Sequence, residues 1–268
     1  MADRVKLDVQ SLALPRDGDL VVLVGDDLAL SEAVTGLLGP AAGLVARAAG
    51  PERFKGKAKS ALTLAAPAGL AVDRLIVVGL GAAGDRDGLD LVALGGTIAG
   101  KVQGRTATVL LDAPGLAMGP EAAADIGLGM RMRLYAFDRY KTRKKDEDAE
   151  AKEATRITLA LADPAAAKKA VKAREGLAEG VALARDLVNE PPNVLGPVEF
   201  AERAAALEKL GVEVEILDER QLAKIGMRAL LAVGQGSERP SRVAIMRWTG
   251  GRKGAKPLAV IGKGVVFD

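Results

Sequence analysis

Residues 20–24 (LVVLV) form an unbroken apolar run that closes on Gly25-Asp26. A run with no polar residue at alternate positions has no face to give to water, so it requires a buried strand. Further strands are expected at 60–66, 74–78 (RLIVV), 106–111 and 157–162 (ITLALA), the first two joined through Pro67, Gly69 and Asp73. Helices are expected between them at 89–102 and 121–135. Gly95, Gly96 and Gly100 weaken the former by roughly 1 kcal/mol each. This alternation predicts an α/β layer architecture with mixed or parallel pairing. Aromatic residues are only 3% of the chain, so Ala, Val, Leu and Ile must build the core.

From 139 to 156 (RYKTRKKDEDAEAKEATR) the chain is almost wholly charged. Acids follow the bases at once, which cancels a phosphate-binding field and favours a solvated loop at a domain margin. Asp163-Pro164 then opens a long helix with a side-chain cap and proline at the first helical position. Leu177, Val181, Ala184 and Val188 give it one apolar stripe, and Pro191-Pro192 forbids continuation. This helix is read as joining two domains, 1–163 and 164–268. A second helix begins at Pro197, carries Phe200, Ala204, Leu207 and Leu210 on one face, and stops at Gly211. Strands are expected at 212–217, 230–233, 242–247 and 258–261.

Two absences narrow the chemistry. With no Cys, disulfides, thiolate catalysis and Cys-based zinc sites are excluded, and with no His so is every imidazole-dependent site. A metal held here must use carboxylates, carbonyls or a lysine amine. The formal net charge of +3 argues against a nucleic-acid partner. Residues 1–10 (MADRVKLDVQ) lack the apolar core of a leader, and the longest apolar run, 75–84, is too short to span a bilayer. A soluble, cytoplasmic protein is expected, with no membrane partner.

Three glycine motifs invite functional readings. Gly79-x-Gly81-x-x-Gly84 follows a strand, as a dinucleotide fingerprint does, but Asp85 and Asp87 stand where pyrophosphate would lie. A structural turn is the better reading. Gly234-Gln235-Gly236-Ser237 lacks the Gly-Lys-Ser/Thr ending of a phosphate loop and also reads as a turn. The corner Asn189-Glu190-Pro191-Pro192-Asn193 reads as a rigid turn with no demand for chemistry.

The terminal Gly262-Lys263-Gly264-Val265-Val266-Phe267-Asp268 is the stretch that could carry chemistry. A lysine ligates a metal only after losing its proton, and a carboxylate offers the hard oxygen that Mn²⁺, Mg²⁺ or Zn²⁺ accepts. Residues five apart on a regular strand face opposite sides, so Gly262 and Gly264 must bend the backbone if Lys263 and Asp268 are to converge. Spacing alone leaves a solvated tail and a metal site both open.

Four segments, in order, resemble the leucyl (cytosol) aminopeptidase family: 135–145 (YAFDRYKTRKK), 184–197 (ARDLVNEPPNVLGP), 226–248 (GMRALLAVGQGSERPSRVAIMRW) and 260–268 (VIGKGVVFD). The second and fourth are specific. The resemblance implies a macro-like N-terminal α/β domain followed by a truncated α/β catalytic domain. It also implies two divalent metal ions, Mn or Zn, with Lys263 ligating one through its neutral amine and Asp268 bridging both. Two metals would activate a bridging water and polarise the scissile carbonyl. The substrate implied is a peptide, cleaved at its N-terminus, and the assembly a homo-oligomer, a hexamer.

The pattern departs from the family where Ser/Thr-Gly-Gly, a catalytic lysine, further acids and an arginine would follow Asp268. Arg228, Gly196, Ser241 and Val266 also stand where Gly, Thr, Pro and Thr are expected. The chain therefore reads as an N-terminal fragment, inactive by itself. The rival readings are a standalone macro-like module, testable with ADP-ribose, and a DNA-binding regulatory protein.

Overall fold

The computed structural model describes residues 5–142 and 154–266. Strand β2 (Asp19–Val24) is buried along its whole length, as its unbroken apolar run requires. Successive side chains of a strand point to opposite faces. Val21 and Leu23 accordingly enter one apolar cluster, while Leu20, Val22 and Val24 enter another. Helices α3 (Leu91–Val102) and α4 (Pro120–Arg133) supply the first cluster with Leu94, Ile98, Ile126 and Met130. Helices α1 (Glu32–Leu38) and α2 (Gly43–Ala49) supply the second with Val34, Leu38 and Val45. The result is a three-layer α/β/α arrangement.

The sheet contains β1 (Val5–Ser11), β2, β3 (Ala61–Ala65), β4 (Arg74–Gly79), β5 (Thr106–Leu110) and β6 (Thr155–Leu161), in the order β1-β6-β5-β2-β4-β3. All pairs are parallel except β3 with β4, so the pairing is mixed. Strand β1 and helices α1 and α2 lie outside the expected elements. In β1 the alternation of Val5, Leu7 and Val9 with polar residues is a period-two signal, and the half-buried positions follow it. At the start of β2, fully buried Asp19 accepts from Arg74 Nε (2.9 Å) and Arg105 Nε (2.8 Å), tying the starts of three neighbouring strands. Burial pushes the Asp19 carboxyl up, but hydrogen bonds and charge from both arginines outweigh it and hold the carboxyl below its usual range.

The glycines of α3 have a use that propensity hides. A Cβ on Gly95 would strike the Ile126 carbonyl, and one on Gly129 of α4 would strike the Val92 carbonyl. The two backbones touch there, so glycine is the residue that lets these helices close.

The chain forms two compact units, Met1–Leu183 and Ala184–Asp268. Helix α5 (Pro164–Asn189) is capped by Asp163, whose carboxylate accepts from Ala166 N–H, and its start enters the first unit's core through Ala167 and Val171. The expected stripe is not what it buries: Leu177 and Val188 are exposed, and Ala167, Val171 and Ala178 are buried instead.

The second unit has a two-stranded antiparallel sheet, β7 (Glu213–Leu217) with β8 (Val243–Arg247), and helix α6 (Pro197–Ala205) packs on both strands. The chain after α6 ends its last turn at Gly211 in the left-handed conformation, φ +85°. Helix α7 (Glu219–Lys224) carries a reciprocal capping box between Asp218 and Gln221. Two strand expectations fail here. Residues 230–233 lie in helix α8 (Arg228–Gly234), a four-residue apolar run being compatible with either state. Residues 258–261 pair with no strand among the described residues, and Leu258, Val260 and Ile261 are 91%, 87% and 96% exposed. No helix among the described residues is long and apolar enough to cross a membrane.

Candidate functional site

The segment holding Lys263 is approached through a framework in the second unit. Arg239 reaches the corner after α5, donating to the carbonyls of Pro192 and Asn193 (both 3.1 Å) and to Glu199 Oε2 (3.4 Å). Glu199 also accepts the N–H of Gly196, helping to cap α6. Its carboxyl is held below the usual range, first by its own backbone N–H; desolvation pushes the other way, and the Arg239 charge and the Gly196 N–H add to the lowering. The diproline corner is thus clamped by an arginine more than forty residues later in sequence, a partner no local reading could find. Its own turn closes through Val194 and Leu195 N–H groups on the Pro191 carbonyl (2.9 Å each).

Beyond β8 the chain turns at Gly254, φ +82°, and runs without regular structure to Val266. Lys263 is exposed. Neither Gly262 nor Gly264 takes a left-handed φ. Gly264 lies against α6 instead: a Cβ there would come within 2.7 Å of the Phe200 ring. Asp268 lies outside the described residues, as does most of the charged stretch 139–156. Among the described residues no three His, Cys, Asp or Glu side chains gather as a metal site. A lysine open to solvent, with no gathered set of carboxylates, does not by itself fit a divalent cation.

The other motifs resolve structurally. A Cβ on Gly79 would strike the Lys57 carbonyl and the backbone of Gly56, and Gly81 takes φ +82° while its N–H donates to Gly56 O (2.9 Å). These two glycines let a neighbouring loop lie on the end of β4. A short 3-10 turn, Ala83–Gly88, comes next, and α3 begins only at Leu91, so Gly84 opens no phosphate-binding helix. Within that turn Arg86 is buried, its guanidinium donating to the Gly81 and Pro114 carbonyls and so tying the loops after β4 and β5. The side chain of Asp87 is not among those described. Gly234 ends α8, and Gly236 lies in the turn after it.

Residues 21–144 match the model described as cytosol aminopeptidase family, N-terminal domain, and residues 182–268 match the model for that family's catalytic domain. A protein of Methylorubrum extorquens named "Probable cytosol aminopeptidase" is 60% identical over 253 residues, covering 94% of this chain and 50% of that protein. One of the same name from Rhodopseudomonas palustris is 54% identical over 270 residues, covering 100% of this chain and 54% of its own length. The chain thus spans about half the length of the curated relatives it matches.

In structure it is similar to a mutant of tomato leucine aminopeptidase, with TM-score 0.73, 24% identity, and coverage of 90% of this chain and 50% of that one. It is also similar to the bottromycin maturation enzyme BotP in complex with Mn, with TM-score 0.61, 23% identity, and coverage of 85% and 44%. At these identities the likeness concerns the fold. A standalone module and a DNA-binding regulator are not favoured, since both family models match in order along one chain. The chain belongs to the cytosol aminopeptidase family and carries its N-terminal domain and part of its catalytic domain.

Proposed function

We propose that this chain contributes the N-terminal domain and the opening of the catalytic domain to a two-metal aminopeptidase that releases N-terminal residues, leucine among them, from peptides. The ordered match of both family domains, with relatives above 50% identity along nearly the whole chain, is the observation that carries this reading. In it Lys263 and Asp268 are metal ligands, the ions are manganese or zinc, and the enzyme is a cytoplasmic homo-oligomer, a hexamer. The bottromycin maturation enzyme BotP in complex with Mn, similar in fold, supports a divalent ion here. The 268 residues taken alone have no peptidase activity in this reading, because Lys263 is exposed and no set of acids gathers as a metal site among the described residues.

The test is metal content and hydrolysis of leucine p-nitroanilide, measured on a protein of the relatives' full length that carries this chain. Lys263→Ala and Asp268→Ala should each lower kcat by orders of magnitude and reduce bound metal, with the melting temperature unchanged. Normal metal and normal rate in either variant would remove that residue from the ligand set. Turnover by the 268-residue chain that tracks its concentration, with or without Mn²⁺, would overturn its inactivity.

A further inference from the structure

Strand β3 is an edge of the six-stranded sheet, and the loop that enters it from α2 carries Arg53, Lys55, Lys57 and Lys59. All four are exposed, and none is paired with a carboxylate among the described residues. Glu52 is the only acid between residues 50 and 63. Beside the loop lies a solvent-open cavity of about 440 Å³, its charged and polar lining made by Glu52, Arg53, Lys55, Lys57, Ser60 and Thr63. That volume is in the range of small-ligand sites, roughly 300–1,000 Å³.

A charge run is usually a solvated, mobile face, but this one is held. Phe54 is buried between its charged neighbours and its N–H donates to Ala49 O (2.9 Å). Lys59 N–H donates to Gly79 O (3.1 Å), Ser60 N–H to Lys57 O (3.0 Å), and Gly56 O accepts from Gly81 N–H. Arg53 and Lys59 sit at φ +52° and +63°, a region that side-chain-bearing residues rarely occupy. Such outliers persist only where surrounding structure enforces them, and they concentrate at ligand sites. Arg53, Lys55 and Lys57 bring three cations to one opening where Glu52 is the sole acid, a local charge imbalance that an anion would relieve.

We propose that this cavity binds a small phosphate-bearing anion of nucleotide or sugar-phosphate size, with Arg53, Lys55 and Lys57 neutralising it. A nucleic acid would need a continuous basic track, and the overall charge of +3 does not supply one. This site stands independently of the aminopeptidase reading.

Isothermal titration of the 268-residue chain at low salt, with pyrophosphate and with AMP as probes, tests it. One equivalent should bind, with Kd in the range of about 10 µM to 1 mM. The double variant Lys55→Ala/Lys57→Ala should weaken binding at least about tenfold, a change of ~1.4 kcal/mol. Arg53→Gly should also weaken it while leaving the melting temperature unchanged or higher, because glycine is at ease at that φ. Absence of binding by both probes at millimolar concentration, or binding indifferent to these substitutions, would overturn the site. So would preferential binding of single-stranded DNA with affinity rising with its length, which would assign the patch to nucleic acid.

Discussion

The two units spend their apolar residues differently. In the first, β2 and β4 are covered on both faces, and two clusters account for nearly every large aliphatic side chain of the sheet. Among the described residues of the second, the buried hydrophobic side chains are Leu195, Ala201, Ala204 and Leu222. Leu210, Val233, Trp248, Leu258 and Ile261 stand largely in solvent there. A two-stranded ladder with one helix on it has little to hold it in water. An exposed apolar surface of this kind marks a face that associates with other protein. The contrast teaches that folding free energy resides in the first unit, while the residues matched to the catalytic-domain model lie in the weaker one.

The largest expected effect is on local opening. Hydrogen exchange should protect amides of β2 and β4 by about a thousandfold or more over those of β7 and β8, because buried central strands open only with global unfolding. Limited proteolysis of the 268-residue chain should cut after Ala178, since Ala167, Val171 and Ala178 are buried on α5. Equal protection in the two units would break the comparison.

Next in size is Asp19→Asn, expected to cost about 3 kcal/mol by urea unfolding at pH 7. That is the low end for a broken buried pair, because Arg74 and Arg105 keep part of their solvent. The sign with pH follows from a carboxyl held below its usual range in the fold. Its stabilisation is full above the unfolded value, about 3.9, and is lost as pH falls through the folded value. The gap between wild type and variant should therefore begin to narrow below about pH 4 and close only below the folded value. A gap that stays constant down to pH 3 would show that the charge is not what Asp19 contributes.

The smallest is Ser31→Ala. Ser31 caps α1 by accepting from Val34 N–H (3.2 Å) and donates to Asp112 Oδ2 (2.6 Å). Its loss should cost about 1 kcal/mol in the same unfolding experiment. A change near zero would mean that α1 is held by Val34 and Leu38 alone.

Local signals were legible wherever the backbone itself limits the choice. The cap at Asp163, the stop at Pro191-Pro192 and the stop at Gly211 all fall where steric rules put them. The run 20–24 declared a buried strand because nothing in it tolerates water. Short apolar runs without such constraints were ambiguous. Residues 230–233 formed a helix, and 258–261 found no partner, since a strand exists only when another chain segment supplies its hydrogen bonds. Of the two residues read as metal ligands, Lys263 is exposed and Asp268 lies outside the described residues.

By itself the sequence determined the α/β class, the ends of its long helices and the family, because these depend on short-range sterics, periodicity and contiguous motifs. Tertiary structure alone decided that Gly95 and Gly129 are helix contacts, that Gly79 and Gly81 seat a loop, and that Arg239 clamps the diproline corner. It also decided that Arg53, Lys55 and Lys57 line one cavity. Each of these joins residues far apart in the chain, and the fit between two surfaces has no signature in either one alone.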